Sequence, residues 1–329
     1  MATSSIGLQL DRALELRLAR RRAVETAFRK GSPRSAHRDS LALRERFLSV
    51  TLRAALKLTG LYSRGMRNAL EPVVREVRFE LEGVPASFEG FRILHLADLH
   101  IDGMEGLAEV IVERLAGLDA DVCVMTGDYR FAVGGPCEQV YSRMWKILRG
   151  LRPPHGVFAI LGNHDESEIA VELQGFGVRM LINEAVKINQ GGEGLWVVGV
   201  DDPHRYGCDD LEGALERVPP GAFKLLLAHS PELFSEAAHA DVDFYLCGHT
   251  HAGQICLPRI GPPLMNADCP RSYTSGRWRH GEMHGYTSAG LGCSLVPVRY
   301  NCPPEITVIE LARKPDSAPI MAPTLSGSF

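Results

Sequence analysis

The chain of 329 residues lacks several features that would assign it to a specialised class of protein. It has no uncharged apolar run of the roughly 18 residues that a membrane-spanning helix requires. Its eight cysteines are scattered without a CxxC pair, which disfavours a zinc ribbon or disulfide framework and favours a reducing, cytoplasmic compartment. Aromatic residues make up only 7% of the chain. With 45% apolar and 23% charged residues, the composition is that of an ordinary globular protein.

Charge is distributed unevenly along the chain. Residues 1–80 hold 17 Lys/Arg against 8 Asp/Glu, whereas the remainder holds 19 against 32. Leucines at helical spacing within 8–30 and 41–70 predict two amphipathic helices. We therefore expect residues 1–75 to form a basic helical extension. Two alternatives stay open for it: the extension rests on an anionic membrane surface, or it packs on the acidic body of the same chain.

From Val73 onward, short apolar runs typical of strands alternate with helical segments. The predicted strands are 74–81, 91–98, 121–128, 156–165, 195–202, 223–230, 243–251 and 305–311. The predicted helices between them are 104–117, 136–150, 166–174, 209–217 and 231–238. This alternation predicts an α/β architecture, with a catalytic domain over 76–312. The Pro- and Ser-rich segment 313–329 is predicted to be a disordered tail.

Five of the predicted strands end in residues that can bind a metal ion. The segments are Asp98-Leu99-His100, Gly127-Asp128, Gly162-Asn163-His164-Asp165, His229 and Gly248-His249-Thr250-His251. Because side chains just beyond the carboxyl ends of strands converge at one edge of an α/β sheet, these segments predict a single site. Carboxylate, amide and imidazole donors without thiolate suit divalent Mn, Fe or Zn. So many donors fit two ions about 3.5–4 Å apart, an arrangement that serves displacement at phosphorus.

The same segments, DLH, GD, GNHD, H and GHTH in this order, resemble the calcineurin-like metallophosphoesterases over about residues 90–312. The resemblance implies a four-layer α/β/β/α sandwich of two mixed sheets with flanking helices. It also implies a dimetal-dependent hydrolase that cleaves a phosphoester or phosphoanhydride bond with a metal-bridging hydroxide.

The resemblance further implies a role for each site residue. Each ion would have its own set of three ligands: Asp98, His100 and His251 for one, and Asn163, His229 and His249 for the other. Asp128 would bridge the two ions. His164 would act as a general acid or stabilise the transition state, and Asp165 would orient His164 through a hydrogen bond.

Segments 249–258 and 290–306 are similar to a bacterial subgroup of this family. That subgroup includes phosphodiesterases and a UDP-2,3-diacylglucosamine pyrophosphatase of lipid A synthesis. The similarity implies a phosphorylated small-molecule, nucleotide or lipid-linked substrate. The implied location is the cytoplasm, with peripheral attachment to the inner membrane face as the alternative. Ala252 stands where glycine is common in the subgroup.

The residues alone suggest two alternative functions, a nuclease and a non-catalytic metal-binding scaffold. The basic extension suggests a nuclease, but the acidic catalytic body and the absence of an RNP, helix-turn-helix or finger pattern disfavour nucleic acid as a partner. A non-catalytic metal-binding scaffold is disfavoured because every ligand position is filled and His164 is present. No protein partner is inferred. His204 and Arg130 stay open as substrate contacts, with a loop position that serves no substrate as the alternative for both.

Overall fold

The computed structural model describes residues 12–30 and 47–314, which form two six-stranded sheets. The first sheet reads, from edge to edge, β1 (Val73–Leu81), β12 (Glu305–Arg313), β2 (Arg92–Leu96), β3 (Val122–Met125), β4 (Val157–Ala159) and β5 (Arg179–Met180). The second sheet reads β10 (Gly276–His280), β11 (Met283–Thr287), β9 (Phe244–Cys247), β8 (Lys224–Leu227), β7 (Glu193–Gly199) and β6 (Glu184–Gln190).

Both sheets are mixed. Strands β2 to β5 run parallel to one another, β12 is antiparallel to β2, and β1 is parallel to β12. In the second sheet, β7, β8, β9 and β11 are parallel, with β6 and β10 antiparallel at the two edges. The loops that follow β2, β3, β4, β8 and β9 therefore leave from carboxyl ends of parallel strands, where α/β folds place their functional residues.

Alternating side chains on the strands divide the core into layers. Ile93 and Val124 belong to the cluster between the two sheets, together with Leu225 and Phe244. Their neighbours along the strands, such as Leu94, belong to the cluster beneath the outer helices of the first sheet. Those helices are α4 (Leu107–Leu115), α5 (Glu138–Leu148) and α6 (Ser167–Gly175), and the second sheet is covered by α7 (Leu211–Leu215) and α8 (Phe234–His239). The predicted α/β/β/α sandwich is confirmed.

Four strands are missing from the sequence-based prediction: β5, β6, β10 and β11. The β5 strand has only two residues, and β10 has the sequence GRWRH, which is rich in charge rather than in β-branched residues. These segments become strands because β5 pairs with β4, β11 pairs with β9, and β6 and β10 each form a hairpin with the strand that follows them, β7 and β11. Pairing rather than residue type therefore decides their conformation.

The N-terminal part is packed on the sandwich. Helix α1 (Arg12–Arg29) contributes the buried Leu14 and Leu18 to the cluster beneath the outer helices, and it contacts α6. The alternative in which this helix rests on a membrane is therefore wrong for α1, because its apolar stripe is already buried against the protein. The boundary predicted at residue 75 is also displaced, since β1 begins at Val73.

A second N-terminal helix, α2, is described over 47–58 and is followed by α3 (Tyr62–Ala69). Leu56 of α2 packs against Val296 and Val298. Phe47, Val50 and Leu58 are exposed, Leu58 to 89%. In the part of the chain that the structure describes, every helix is too short or too polar to cross a bilayer. The predicted tail beyond residue 314 lies outside the described residues, as do 1–11 and 31–46.

Candidate metal centre

Five loops bring their metal-capable residues to one edge of the sandwich in an unusual backbone conformation. The residues with positive φ, between 37° and 69°, are Asp98, His100, Asp128, His249 and His251. Non-glycine residues rarely adopt such values, and where they cluster the strain is usually part of a functional site. Glycines provide the space: a Cβ on Gly162 would collide with the carboxylate of Asp128, and one on Gly248 with that of Asp98.

One half of the centre consists of Asp98, His100 and His251, whose ligand atoms all lie within 4.8 Å of one another. The Nε2 atoms of the two imidazoles are 3.2 Å apart. The Asp98 carboxylate accepts the backbone N–H of His249 at 2.9 Å, which ties this half to the next loop. We call these three residues the first half-site.

The other half consists of Asn163, His229 and His249. The Asn163 Oδ1 atom lies 2.7 Å from His229 Nε2 and 2.8 Å from His249 Nδ1, and these two nitrogens are 3.2 Å apart. The side-chain oxygen and the two ring nitrogens thus converge on one point. We call these three residues the second half-site.

Asp128 lies between the two half-sites. Its Oδ2 atom is 3.5 Å from His100 Nε2 in the first half-site and 3.4 Å from His229 Nε2 in the second. Its Oδ1 atom accepts the backbone N–H of His164 at 2.8 Å. The carboxylate is therefore held by the backbone of one loop while its other oxygen faces both sets of imidazoles.

The imidazole tautomers test whether this arrangement suits metal ions. The Nδ1 atoms of His100 and His229 lie 2.7 and 2.8 Å from the carbonyl oxygens of Arg130 and Thr126. A carbonyl only accepts, so each Nδ1 carries a proton, and in the neutral form of each ring the lone pair of Nε2 is directed toward Asp128. Lone pairs aimed at a carboxylate oxygen repel it unless positive charge lies between them. The donor set therefore fits divalent cations.

The pKa shifts of the protein groups point in the same direction. Burial opposes a charged His229, yet the carboxylates of Asp128 and Asp98 raise its pKa to about 10. Burial also opposes ionisation of Asp128, but His229 and His164 hold its pKa well below the usual range. Burial raises the pKa of Asp98 to about 7. The centre thus stabilises positive charge beside Asp128, which a bound ion supplies as well as a proton does.

His164 lies at the open side of the centre, with 21% of its side chain exposed. Its Nδ1 atom is 2.6 Å from the carbonyl oxygen of Phe131, and its Nε2 atom is 3.9 Å from Asp128 Oδ2. The ring is thus oriented by a backbone carbonyl, with Nε2 turned toward the centre.

The expectation that Asp165 orients the His164 ring is wrong. The Asp165 carboxylate instead accepts the backbone N–H groups of Gly162, Asp128 and Tyr129 at 2.8–2.9 Å. Burial raises the pKa of Asp165 to about 6, and the charge of Asp128 adds to this effect. Asp165 therefore fastens two active-site loops to each other through their backbones.

Arg130 and His204, which the sequence leaves open as substrate contacts, lie in different positions relative to the centre. Arg130 is buried, and its guanidinium lies 3.1 Å from the carbonyl oxygen of Gly135 and 3.4 Å from Glu166, so it faces the protein rather than a substrate. His204 lies beside the second half-site, with its ring centroid 4.2 Å from that of His249 and its Nδ1 atom 2.9 Å from Glu232. His204 is thus the residue of the two that borders the centre.

Two fully buried arginines behind the centre were not among the predicted site residues. Arg299 donates to the carbonyl oxygens of Ala289 and Gly292 at 2.7 and 2.6 Å, and Gly292 in turn donates its N–H to the carbonyl oxygen of Asp98. Arg21 of α1 contacts the loop that carries Asn163. Arg21 has no sequence signal, and the similarity of segment 290–306 does not mark Arg299 as a support, because both arginines act on backbone carbonyls.

Comparison with known proteins agrees with this geometry. The family model of calcineurin-like phosphoesterases matches residues 91–253. The phosphodiesterase YaeI of Escherichia coli K12 is 31% identical over 278 residues, which cover 82% of this chain and 98% of that protein. The uncharacterised metallophosphoesterase YkuE of Bacillus subtilis 168 is 31% identical over 239 residues, 69% of this chain and 81% of that protein.

A bovine transmembrane protein with a metallophosphoesterase domain is 30% identical over 300 residues, which cover 84% of this chain and 64% of that protein. The family match spans all five metal-capable loops, with segment 248–251 near its end. From the fold, the donor set and these relatives, the chain belongs to the calcineurin-like metallophosphoesterases and is a metal-dependent phosphoric ester hydrolase.

Proposed function

We propose that this phosphoesterase is a phosphodiesterase or pyrophosphatase that acts on a lipid-linked or nucleotide substrate. The observation that carries the proposal is the position of the Asp128 carboxylate between the two half-sites, with His164 beside it at the open side. When bound, two divalent ions would activate a water molecule and neutralise charge on the phosphate. Manganese, iron and zinc all suit the donors.

In this proposal each half-site holds one ion and Asp128 holds both. Three side chains on each side would hold one ion each at the strand ends, and Asp128, whose Oδ2 atom faces both half-sites, would hold both ions. Donor hydrogen bonds from His100 and His229 to backbone carbonyls keep both Nε2 lone pairs directed at the ions. The chain thus supplies a rigid frame whose ligands need no rearrangement.

His164 is proposed to donate a proton to the leaving oxygen. The carbonyl of Phe131 holds its Nδ1 proton, so Nε2 is the atom that exchanges a proton with the substrate. Its partial exposure lets it reach a phosphate that enters from solvent, whereas the buried ligands cannot. Serine and cysteine nucleophiles are not required by this mechanism.

A lipid-linked substrate is supported by exposed apolar side chains near the centre. The loop 256–265 follows the metal-capable segment 248–251. The loop side chains Leu257, Ile260 and Leu264 are exposed, Ile260 to 71%. Ile255, at the start of this loop, packs in the same cluster as Leu56 of α2. The loop and α2 therefore adjoin one another.

We call the exposed apolar side chains of α2 and of loop 256–265 the apolar rim; they are Phe47, Val50, Leu58, Leu257, Ile260 and Leu264. Basic side chains of the same two segments, Arg53, Lys57 and Arg259, are also exposed. Apolar groups flanked by cations suit an anionic membrane surface. The membrane contact proposed here thus uses α2 and the loop, not α1, and it would place the protein on a membrane face that carries the substrate.

A nuclease is not supported by α1. Arg17 and Arg29 of this helix pair with Glu184 and Glu166, and Arg20 donates to the carbonyl oxygen of Gly207. These cations are therefore engaged with the protein rather than free to track a phosphate backbone. A non-catalytic scaffold is not supported either, since all the donor positions converge.

The catalytic proposal is tested with metal-stripped protein reconstituted with Mn²⁺. We expect hydrolysis of bis-p-nitrophenyl phosphate, then of a nucleotide diester or UDP-2,3-diacylglucosamine when natural substrates are compared. Cleavage of nucleic-acid strands faster than any of these, over a series of salt concentrations, would show a nuclease instead. No hydrolysis by fully loaded protein would contradict the proposal.

The membrane proposal is tested by sedimentation with vesicles that contain phosphatidylglycerol. We expect the wild type to pellet with them, less at high salt, and the Ile260→Ser, Leu264→Ser double variant to remain in the supernatant. Leu16→Ser, which changes an exposed leucine of α1, is the matched control and should pellet like the wild type. Equal pelleting of all three proteins would remove the apolar rim as a membrane contact.

A further inference from the structure

We propose that Arg21 of helix α1 is a positioning residue for the second half-site, although it lies outside the five metal-capable loops. The inference rests on the proposed function in one respect: Asn163 is taken to be a metal ligand. Its basis is that one guanidinium group holds the backbone on both sides of Asn163 and His164.

The Nη2 atom of Arg21 donates to two carbonyl oxygens of the same loop. It lies 2.7 Å from the oxygen of Gly162 and 2.6 Å from that of Asp165. These two residues bracket Asn163 and His164. One nitrogen therefore closes the loop segment that presents a ligand and the proposed proton donor.

The guanidinium is fixed by partners of its own. Arg21 is completely buried, its Nη1 atom pairs with Asp201, and its Nε atom is 3.3 Å from Glu25. The ring of Tyr206 lies 3.8 Å from its Cζ atom. Burying a charged group is costly unless it is paired and hydrogen-bonded, and the planar guanidinium satisfies several partners at once. So many partners hold the donor in one place.

A second side chain of α1 continues the attachment. Glu25 accepts both the backbone N–H and the hydroxyl of Ser167 at 2.8 Å, at the start of α6. From the opposite side, the Asp165 carboxylate binds the N–H groups of Gly162 and Asp128. The loop is thus fixed by α1 at its carbonyls and by Asp165 at its amides.

Arg21 is therefore expected to affect the affinity of the chain for one of the two ions. Asn163 must keep its oxygen at the point where His229 and His249 converge, and its backbone has freedom to move if the two carbonyls are released. Groups that orient ligands typically change metal affinity by about 10–100-fold. Removing Arg21 should therefore weaken the second half-site and leave the first as it is, because the loop bonds of Arg21 are made to Gly162 and Asp165.

The test uses the full chain, stripped of metal and titrated with Mn²⁺ by calorimetry. The variant is Arg21→Met together with Asp201→Asn, so that the Asp201 carboxylate, the ion-pair partner of Nη1, is not left buried without its cation. We expect one of the two binding events to weaken about 10–100-fold while the other keeps its affinity. The matched control is Arg22→Met, because Arg22 is partly exposed and pairs with Glu15 of the same helix.

Arg21→Lys is the conservative variant. Its single ammonium group can reach the loop carbonyls without the bidentate geometry, so we expect part of the lost affinity to return. Unchanged affinity for both ions in the double variant would overturn the proposal, and so would equal weakening of both ions. If the wild type binds two ions but hydrolyses no phosphodiester, the proposed function fails, and the calorimetry still tests Arg21.

Discussion

The two half-sites are held in place from opposite ends of the chain. Behind the first, Arg299 fastens the segment that bonds to the backbone of Asp98, and this arginine lies 48 residues after His251. Behind the second, Arg21 fastens the loop of Asn163 from a helix 141 residues earlier than Gly162. The metal-capable residues thus come from local motifs at strand ends, whereas their supports come from segments distant in the chain.

The two half-sites border different residues at the open side of the centre. Each half-site has slightly exposed residues: His251 in the first, and Asn163 and His249 in the second. The ring of the more exposed His164 lies 4.8 Å from that of His100, and His204 lies beside His249.

The largest effect is expected from a variant that removes the carboxylate shared by both half-sites. Asp128→Asn takes away the carboxylate that faces both, and an amide cannot neutralise two dications. We expect activity at background level and loss of bound metal, measured by elemental analysis of reconstituted protein. Wild-type metal content in this variant would show that Asp128 does not bridge.

The next effect leaves both half-sites intact. His164→Ala should retain two ions and lower kcat by about 10²–10⁴, the usual contribution of a positioned acid–base group. Steady-state kinetics and metal analysis on the same sample check both statements. Collapse of metal occupancy would make His164 a ligand rather than a proton donor.

A smaller effect separates the two supports. Arg299→Met should weaken binding at the first half-site about tenfold or more, because the segment that holds the Asp98 backbone loses its buried donor. Competition titration with Mn²⁺, compared with the Arg21→Met, Asp201→Asn variant, shows which ion each change affects. If both variants weakened the same ion, the division into two independently supported half-sites would be wrong.

The smallest effect on the centre is expected from changes in the two N-terminal helices, which alter the free energy of unfolding rather than the metal-capable residues. Leu18→Ala in α1 removes a fully buried side chain and should lower the free energy of unfolding by about 2–5 kcal/mol. Leu58→Ala in α2 changes an exposed side chain and should stay within about 0.5 kcal/mol of the wild type. Urea unfolding compares them. Equal losses would mean that α2 is as firmly packed as α1.

The convergence of the metal-capable residues was predictable because each lies directly after an apolar strand, where periodicity and residue type are both local signals. Their role as ligands stays a prediction. The sequence predicted the sandwich through the family resemblance. It did not predict β5, β6, β10 and β11, since pairing rather than residue type decides their conformation, whether the partner is the next strand, as for β6 and β10, or a strand more distant in the chain, as for β5 and β11. The role of Asp165 was wrong for a related reason: its partners are backbone N–H groups, which carry no sequence signal.

The N-terminal helices show the same limit. Both have arginines among leucines at helical spacing, so the pattern alone gives them the same two alternatives. The structure buries Leu14 and Leu18 of α1 in the cluster beneath the outer helices and leaves Val50 and Leu58 of α2 exposed. How much of each helix is buried depends on the shape of the surface it meets, and spacing does not encode that shape.

We propose above that two ions form one centre linked by Asp128. Electron paramagnetic resonance of the full chain titrated with Mn²⁺ tests it most directly. We predict two ions per chain with a spin-coupled signal, and a single uncoupled ion after Asn163→Ala. A wild-type protein that binds one ion, or two ions without coupling, would contradict the claim.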